Sequence, residues 1–150
     1  MPLINVNGVR QYYRLDGNEQ QPVLILSHSL GCDHSMWDLQ VEALSTHFLV
    51  LRYDTRGHGA TEAPTGNYSM EMLASDALAL LDSLRIERFI WCGLSLGGMI
   101  GQQIAAKAPH RVTNLILANT SPRIDPNPME TRRRTVLEQG TKAAQNIGRR

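Results

Sequence analysis

One stretch limits the possible folds more than any other: Ile90 to Gly98 reads I-W-C-G-L-S-L-G-G. The apolar, β-prone run Phe89 to Cys92 stops at Gly93-Leu94-Ser95-Leu96-Gly97, and a helix-like pattern begins directly behind it. Strand, tight turn and helix follow one another with no room for a loop. The G-x-S-x-G spacing has a mechanical reason. The serine sits in a strained turn, and glycines two residues before and after it let backbone pass closely. Ser95 is then held at the tip with Oγ exposed, as a candidate nucleophile. The free amides of the first helical turn, Leu96 N–H foremost, face any negative charge that forms there.

The rest of the chain supplies the sheet this turn requires. Leu3 to Val6 and Val9 to Leu15 are short β-prone runs split by Asn7-Gly8, which predicts an antiparallel hairpin. Val23 to Leu26 and Phe48 to Leu51 are continuous apolar runs, the mark of strands covered on both faces. Met36 to Leu44 is predicted as a helix between them. Ser69 is a plausible N-cap, and Leu73, Ala77, Leu80, Leu81 and Leu84 follow at helical spacing. Leu96 to Ala108 is the helix behind the turn, ended by Pro109, and Val112 to Ala118 reads as one more buried strand. Alternating strands and helices predict a parallel, doubly wound α/β sheet with right-handed crossovers. Ligands of such sheets collect at the carboxyl ends of the strands. The loops starting at His28, Asp54, Gly93 and Asn119 should therefore meet at one crevice. From Ser121 the pattern changes. Pro122, Pro126 and Pro128 break structure, and Met129 to Ile147 reads as a helix that Gly140 divides. The expected organisation is a core over residues 1–120 and a separate segment over 121–150.

Composition narrows the function classes. A net charge of +1 gives no electrostatic reason for a nucleic-acid or membrane partner. No stretch approaches the roughly 20 apolar residues of a membrane span, and the N-terminus lacks the pattern of a signal peptide, so the cytoplasm is the expected compartment. Cys32 and Cys92 have no metal-ligand spacing around them and are read as reduced thiols; no metal or cofactor site is expected. Met36 and Trp37 read as packing residues, Asp54 and Arg56 as braces of their loop, and Arg132-Arg133-Arg134 as a solvated helix face.

Three segments together resemble a known family. H-S-L-G-C-D-H-S-M-W (His28 to Trp37), L-R-Y-D-T-R-G-H-G (Leu51 to Gly59) and C-G-L-S-L-G-G-M-I-G (Cys92 to Gly101) look like the α/β-hydrolase superfamily, and within it the 3-oxoadipate enol-lactonases. The resemblance runs from the N-terminal hairpin to Asn119–Ile124, which looks like the start of that family's helical cap. It implies Ser95 as nucleophile, with Leu96 N–H and Leu30 N–H as the two donors of an oxyanion hole. It implies acyl transfer from an ester or lactone, with no cofactor. The free carboxylate of an enol-lactone would want a cation, for which Arg56, Arg123 and Arg132 to Arg134 are candidates.

A serine hydroxyl needs an oriented base, normally histidine backed by a carboxylate, and in this superfamily both follow the serine on later strands. The only histidine after Ser95 is His110. It lies beyond a helix about 18 Å long at 1.5 Å per residue, out of reach. His28 and His58 lie at the correct edge, but the resemblance gives them turn-structuring roles; His34 and His47 read as surface or helix-end residues. Asp125 is the only acidic residue in the loop after the last strand, while the strand-end position itself is nearer Asn119. The resemblance also implies further strands beyond Val112 to Ala118, without which that strand is an open edge. The expectation is therefore a fragment of a longer hydrolase, or a chain completed by a second polypeptide. A general carboxylesterase and a non-enzymatic, hydrolase-like binding subunit stay open as alternatives.

Overall fold

A computed structural model of the chain describes residues 2–123 and 126–139. Strands β1 (Leu3–Val6) and β2 (Val9–Asp16) form the expected hairpin. Its turn needs two left-handed residues, and Asn7 and Gly8 supply them with φ of 47° and 75°. β3 (Val23–Ser27), β4 (Leu49–Tyr53), β5 (Phe89–Leu94) and β6 (Val112–Ala118) complete one sheet in the order β1-β2-β4-β3-β5-β6. β1–β2 and β2–β4 pair antiparallel, and β4–β3, β3–β5 and β5–β6 pair parallel.

The period-2 alternation of a strand sorts each continuous apolar run onto two faces. Ile25, Leu51, Tyr53 and Trp91 point into the larger core, packed with α2 (Met70–Ser83) and α3 (Leu96–Lys107). Leu24, Leu26 and Val50 point the other way, against Trp37 and Leu44 of the smaller layer. Both faces of β3 and β4 are covered, as their sequences require. Ser69 caps α2 by accepting the Met72 amide at 3.1 Å, and the helix buries Leu73, Ala77, Leu80 and Leu81.

Three expectations change. The helix predicted over Met36 to Leu44 is a 3-10 turn, His34–Trp37, followed by α1 (Asp38–Ser45). Asp33 starts the turn early because its carboxylate accepts the Ser35 amide at 2.8 Å. The strand at Val112 to Ala118 is not buried: Ile116 and Leu117 are 49% and 43% exposed, because among the described residues β6 has a partner on one side only. The last helix, α4 (Pro126–Gln139), begins three residues before Met129. A proline in the first helical turn forgoes only an amide that has no partner there, so Pro126 opens the helix instead of breaking it. The expected extension to Ile147 and the division at Gly140 lie outside the described residues. The chain divides into two compact units, Met1–Thr120 and Ser121–Arg150.

Candidate active site

Because β3, β4, β5 and β6 run parallel, the segments that follow them leave the same edge of the sheet. Ser95 is the single residue between β5 and α3, with φ 51° and ψ −110°, a sparsely populated conformation for a residue with a Cβ. Backbone bonds hold it there. Its N–H donates to the Ala118 carbonyl at 2.9 Å, and its carbonyl accepts from Gly98 N–H at 3.0 Å and Met99 N–H at 3.1 Å. The flanking glycines are there for space. A Cβ on Gly97 would collide with the Ser27 carbonyl at the end of β3, and one on Gly93 would collide with the backbone of Gly97 and Gly98. The first turn of α3 thus lies directly against β3. The Trp91 indole locks it further, donating to the Gly97 carbonyl at 2.9 Å.

Ser95 is half-buried, and no described residue hydrogen-bonds its Oγ. Among the described residues no acceptor takes the amide of Leu96 or of Leu30. Leu30 lies in the exposed loop after β3, on the strand register that places Ser27 beside Gly93.

The loop histidines serve structure. His28 is fully buried; Thr55 N–H donates to its Nε2 at 2.9 Å, so Nδ1 carries the proton and donates to the Ser29 carbonyl at 2.8 Å. Burial pushes its pKa below the usual histidine value; the bond to the Ser29 carbonyl pulls the other way less strongly, and the nearby His58 adds a still smaller downward push. A ring with both nitrogens engaged in these bonds has none free to serve as a base toward Ser95. His58 Nδ1 lies 3.1 Å from Thr55 Oγ1 and 3.2 Å from the Arg56 carbonyl, within its own loop. His47 is exposed just after α1. His110 sits at the opposite edge of the sheet, where it lines an open cavity of about 660 Å³ with Asp82, Ile86 and Arg111. Arg111 is tied there to the Asp82 carboxylate and the Ile86 carbonyl, both at 2.6 Å.

One imidazole–carboxylate pair escapes sequence reasoning. His34 Nδ1 lies 2.9 Å from Oδ1 of buried Asp54, which also accepts the His34 amide at 2.7 Å. The His34 ring packs on Tyr12 of β2, with centroids 4.6 Å apart. Asp54 follows β4, two strands from β5, so it leaves the sheet about 10 Å from the elbow strand at a strand spacing near 4.8 Å. Asp33, His34 and Asp54 bring ligand atoms within 4.8 Å of one another, but Asp33 Oδ1 is engaged by the Ser35 amide at 2.8 Å. The other Asp54 oxygen accepts Ala60 N–H at 2.8 Å. These bonds brace two loops against each other.

Arg56 is withdrawn from the cation candidates. Its Nε and Nη2 meet the Asp76 carboxylate at 2.8 and 3.0 Å, both residues are buried, and Asn7 Nδ2 donates to the same carboxylate at 3.0 Å. Arg123 and Arg132 to Arg134 belong to the second unit, where Arg133 pairs with Glu130 at 3.3 Å. Cys32 and Cys92 are free thiols, and burial pushes the Cys92 thiol up. Asn119, at the end of β6, has a left-handed φ of 45°. Asp125 lies outside the described residues.

Comparison with known proteins agrees with this fold. Residues 22–144 match the family model for the alpha/beta hydrolase fold. The chain is 41% identical over 138 residues to 3-oxoadipate enol-lactonase 2 of Acinetobacter baylyi, covering 91% of this chain and 52% of that protein. It superimposes on the crystal structure of the enol-lactonase from Burkholderia xenovorans with a TM-score of 0.91 and 47% identity, covering 95% of this chain and 56% of that one. A thermophilic esterase from Thermogutta terrifontis matches with a TM-score of 0.81 and 32% identity, covering 92% and 52%. The chain spans about half the length of the curated relatives it matches.

Proposed function

This chain belongs to the α/β-hydrolase family, and we propose that it carries the nucleophile of an enzyme that hydrolyses a carboxylic ester or lactone, with 3-oxoadipate enol-lactone as the preferred substrate. One observation carries the reading: Ser95 stands alone between β5 and α3 in a strained conformation, with an Oγ that no described residue hydrogen-bonds. A strained serine at a strand-to-helix turn has little structural purpose. Its Oγ attacks the acyl carbon, and the amides of Leu96 and Leu30 receive the negative charge on the carbonyl oxygen. The ring C–O bond then breaks, and the leaving enol takes a proton and relaxes to the ketone. Water releases the acyl group from Ser95. An enol-lactone suits this chemistry because its leaving group is a stabilised enol.

The base is the part that the described residues do not contribute. We assign it, with its carboxylate, to hydrolase sequence outside this chain, either a continuation or a second polypeptide, seated along the β6 edge. Ile116 and Leu117, exposed on opposite faces of that strand, support this placement. A simple carboxylesterase is the second reading, favoured by the likeness to the Thermogutta enzyme.

The test is hydrolysis of the enol-lactone and of a short p-nitrophenyl ester by material of known intact and light-scattering mass, beside Ser95→Ala. Turnover lost in Ser95→Ala supports the reading, and a preference for the lactone selects enol-lactonase over esterase. Turnover unchanged in Ser95→Ala refutes it. The chain free of any other polypeptide is expected to be very weak, since losing triad members leaves only a residual rate of roughly 10³–10⁴ over water. A full enzymatic rate from the pure chain would overturn the assignment of the base.

A further inference from the structure

The end of β6 grips Ser95 at two points. Ala118 accepts the Ser95 amide at 2.9 Å, and two residues later the Thr120 hydroxyl donates to the Ser95 carbonyl at 2.7 Å. Asn119, left-handed at φ 45°, turns the chain so that both contacts fall on one residue. Gly98 makes room: a Cβ there would lie 2.6 Å from Thr120 Cγ2 and 3.0 Å from its Oγ1. The Ser95 carbonyl already accepts Gly98 N–H and Met99 N–H from the helix, so the Thr120 bond is a third donor. It is not needed merely to satisfy that oxygen.

We infer that Thr120 is a positioning residue for the oxyanion-stabilising amide of Leu96. The carbonyl it holds and the Leu96 N–H belong to one planar peptide unit, in which C=O and N–H point in opposite directions. Fixing the oxygen end with a side chain from another strand therefore fixes the direction of the N–H end. The two helix amides that reach the oxygen, from Gly98 and Met99, belong to α3 itself, whereas Thr120 reaches it from the end of β6, so its hydroxyl ties the peptide plane to a separate element. An oxyanion donor works through preorganisation, so a rocking amide lowers turnover more than substrate binding. This inference rests on the reading of Ser95 and Leu96 given above.

The test compares Thr120→Val, which keeps the branched shape and removes the hydroxyl, with Thr120→Ser, which keeps the hydroxyl. In the 13C,15N-labelled chain, the Ser95 carbonyl carbon and the Leu96 amide nitrogen are expected to shift in Thr120→Val and to return in Thr120→Ser. In the ester assay kcat is expected to fall about tenfold in Thr120→Val with KM nearly unchanged, and to recover in Thr120→Ser. That loss is smaller than the roughly hundredfold or more expected from deleting a donor outright. Unmoved carbon and nitrogen signals in Thr120→Val, or a serine variant that behaves like valine, would overturn the proposal, as would a rise in KM at constant kcat. If Ser95→Ala hydrolyses as fast as the unmutated chain, the hydrolase reading fails, and the carbon and nitrogen signals alone decide whether Thr120 holds the peptide plane. Should Thr120→Val not fold, Thr120→Ala removes the same hydroxyl and is read by the same outcomes.

Discussion

Ser95 offers a direct measure of the strain stored at the elbow. Its φ of 51° and ψ of −110° are costly because of the Cβ, so alanine and glycine at this position separate the hydroxyl from the backbone. Ser95→Ala removes an Oγ that bonds to no described residue and keeps the Cβ, so it should change stability by less than about 0.5 kcal/mol. Ser95→Gly removes the Cβ as well. Strain of this kind costs about 1–3 kcal/mol, while the looser unfolded chain of a glycine offsets about 0.4–1 kcal/mol of the gain. Glycine should therefore be more stable than alanine by about 1 kcal/mol, within a range of roughly 0–2.6. For a chain of this size that is about 2–4 °C in Tm. It is also about 0.5 M in urea midpoint at a slope near 2 kcal/mol/M. Paired urea melts, with m-values to check that the unfolded states are comparable, provide the measurement. A glycine variant less stable than alanine would mean that the backbone at Ser95 is not strained by its side chain, and the argument that function maintains this conformation would lose its basis.

Two further predictions concern the loops that flank the elbow. Asp76→Ala leaves the buried Arg56 guanidinium unpaired and should cost about 3–5 kcal/mol; the Arg56→Met, Asp76→Leu double variant should recover much of that loss, and a single-variant cost below about 1 kcal/mol in urea melts would show that the pair does not hold the loop. His28 has its pKa lowered in the folded state, chiefly by burial, so stability should be intact above its ordinary value of 6.5 and fall as pH drops through the window between that value and the lower folded one. There the unfolded chain binds a proton that the folded chain refuses, with a slope of up to about 1.4 kcal/mol per pH unit. Urea midpoints at several pH values should flatten by that one-proton slope in His28→Gln, and an unchanged slope would place the acid sensitivity elsewhere.

What could be read in advance follows from how local each cause is. The hairpin turn and the elbow are written as steric demands on adjacent residues, Asn7-Gly8 and Gly93 to Gly97, so spacing alone was enough to find them. The pairing of Arg56 with Asp76 was not so written, because it joins a loop to a helix face 20 residues away. A signal for it was nevertheless present: Asp76 falls on the stripe with Leu73, Ala77 and Leu80, and an acid on the apolar face of a helix calls for a buried cation. The His34–Asp54 pair joins two loops with no fixed spacing and left no comparable trace.

β6 marks a different boundary. Leu115-Ile116-Leu117-Ala118 has the composition of a strand buried on both faces, yet Ile116 and Leu117 lie exposed on opposite sides of an edge with one neighbour. Parallel strands this apolar are found almost only where helices cover both faces, and an exposed apolar edge is an invitation to pairing. The mismatch between what β6 is made of and what covers it among the described residues is what the proposed neighbour along this edge would remove. Since Ala118 and Thr120 at the end of the same strand hold both backbone groups of Ser95, whatever pairs with β6 would also steady the nucleophile.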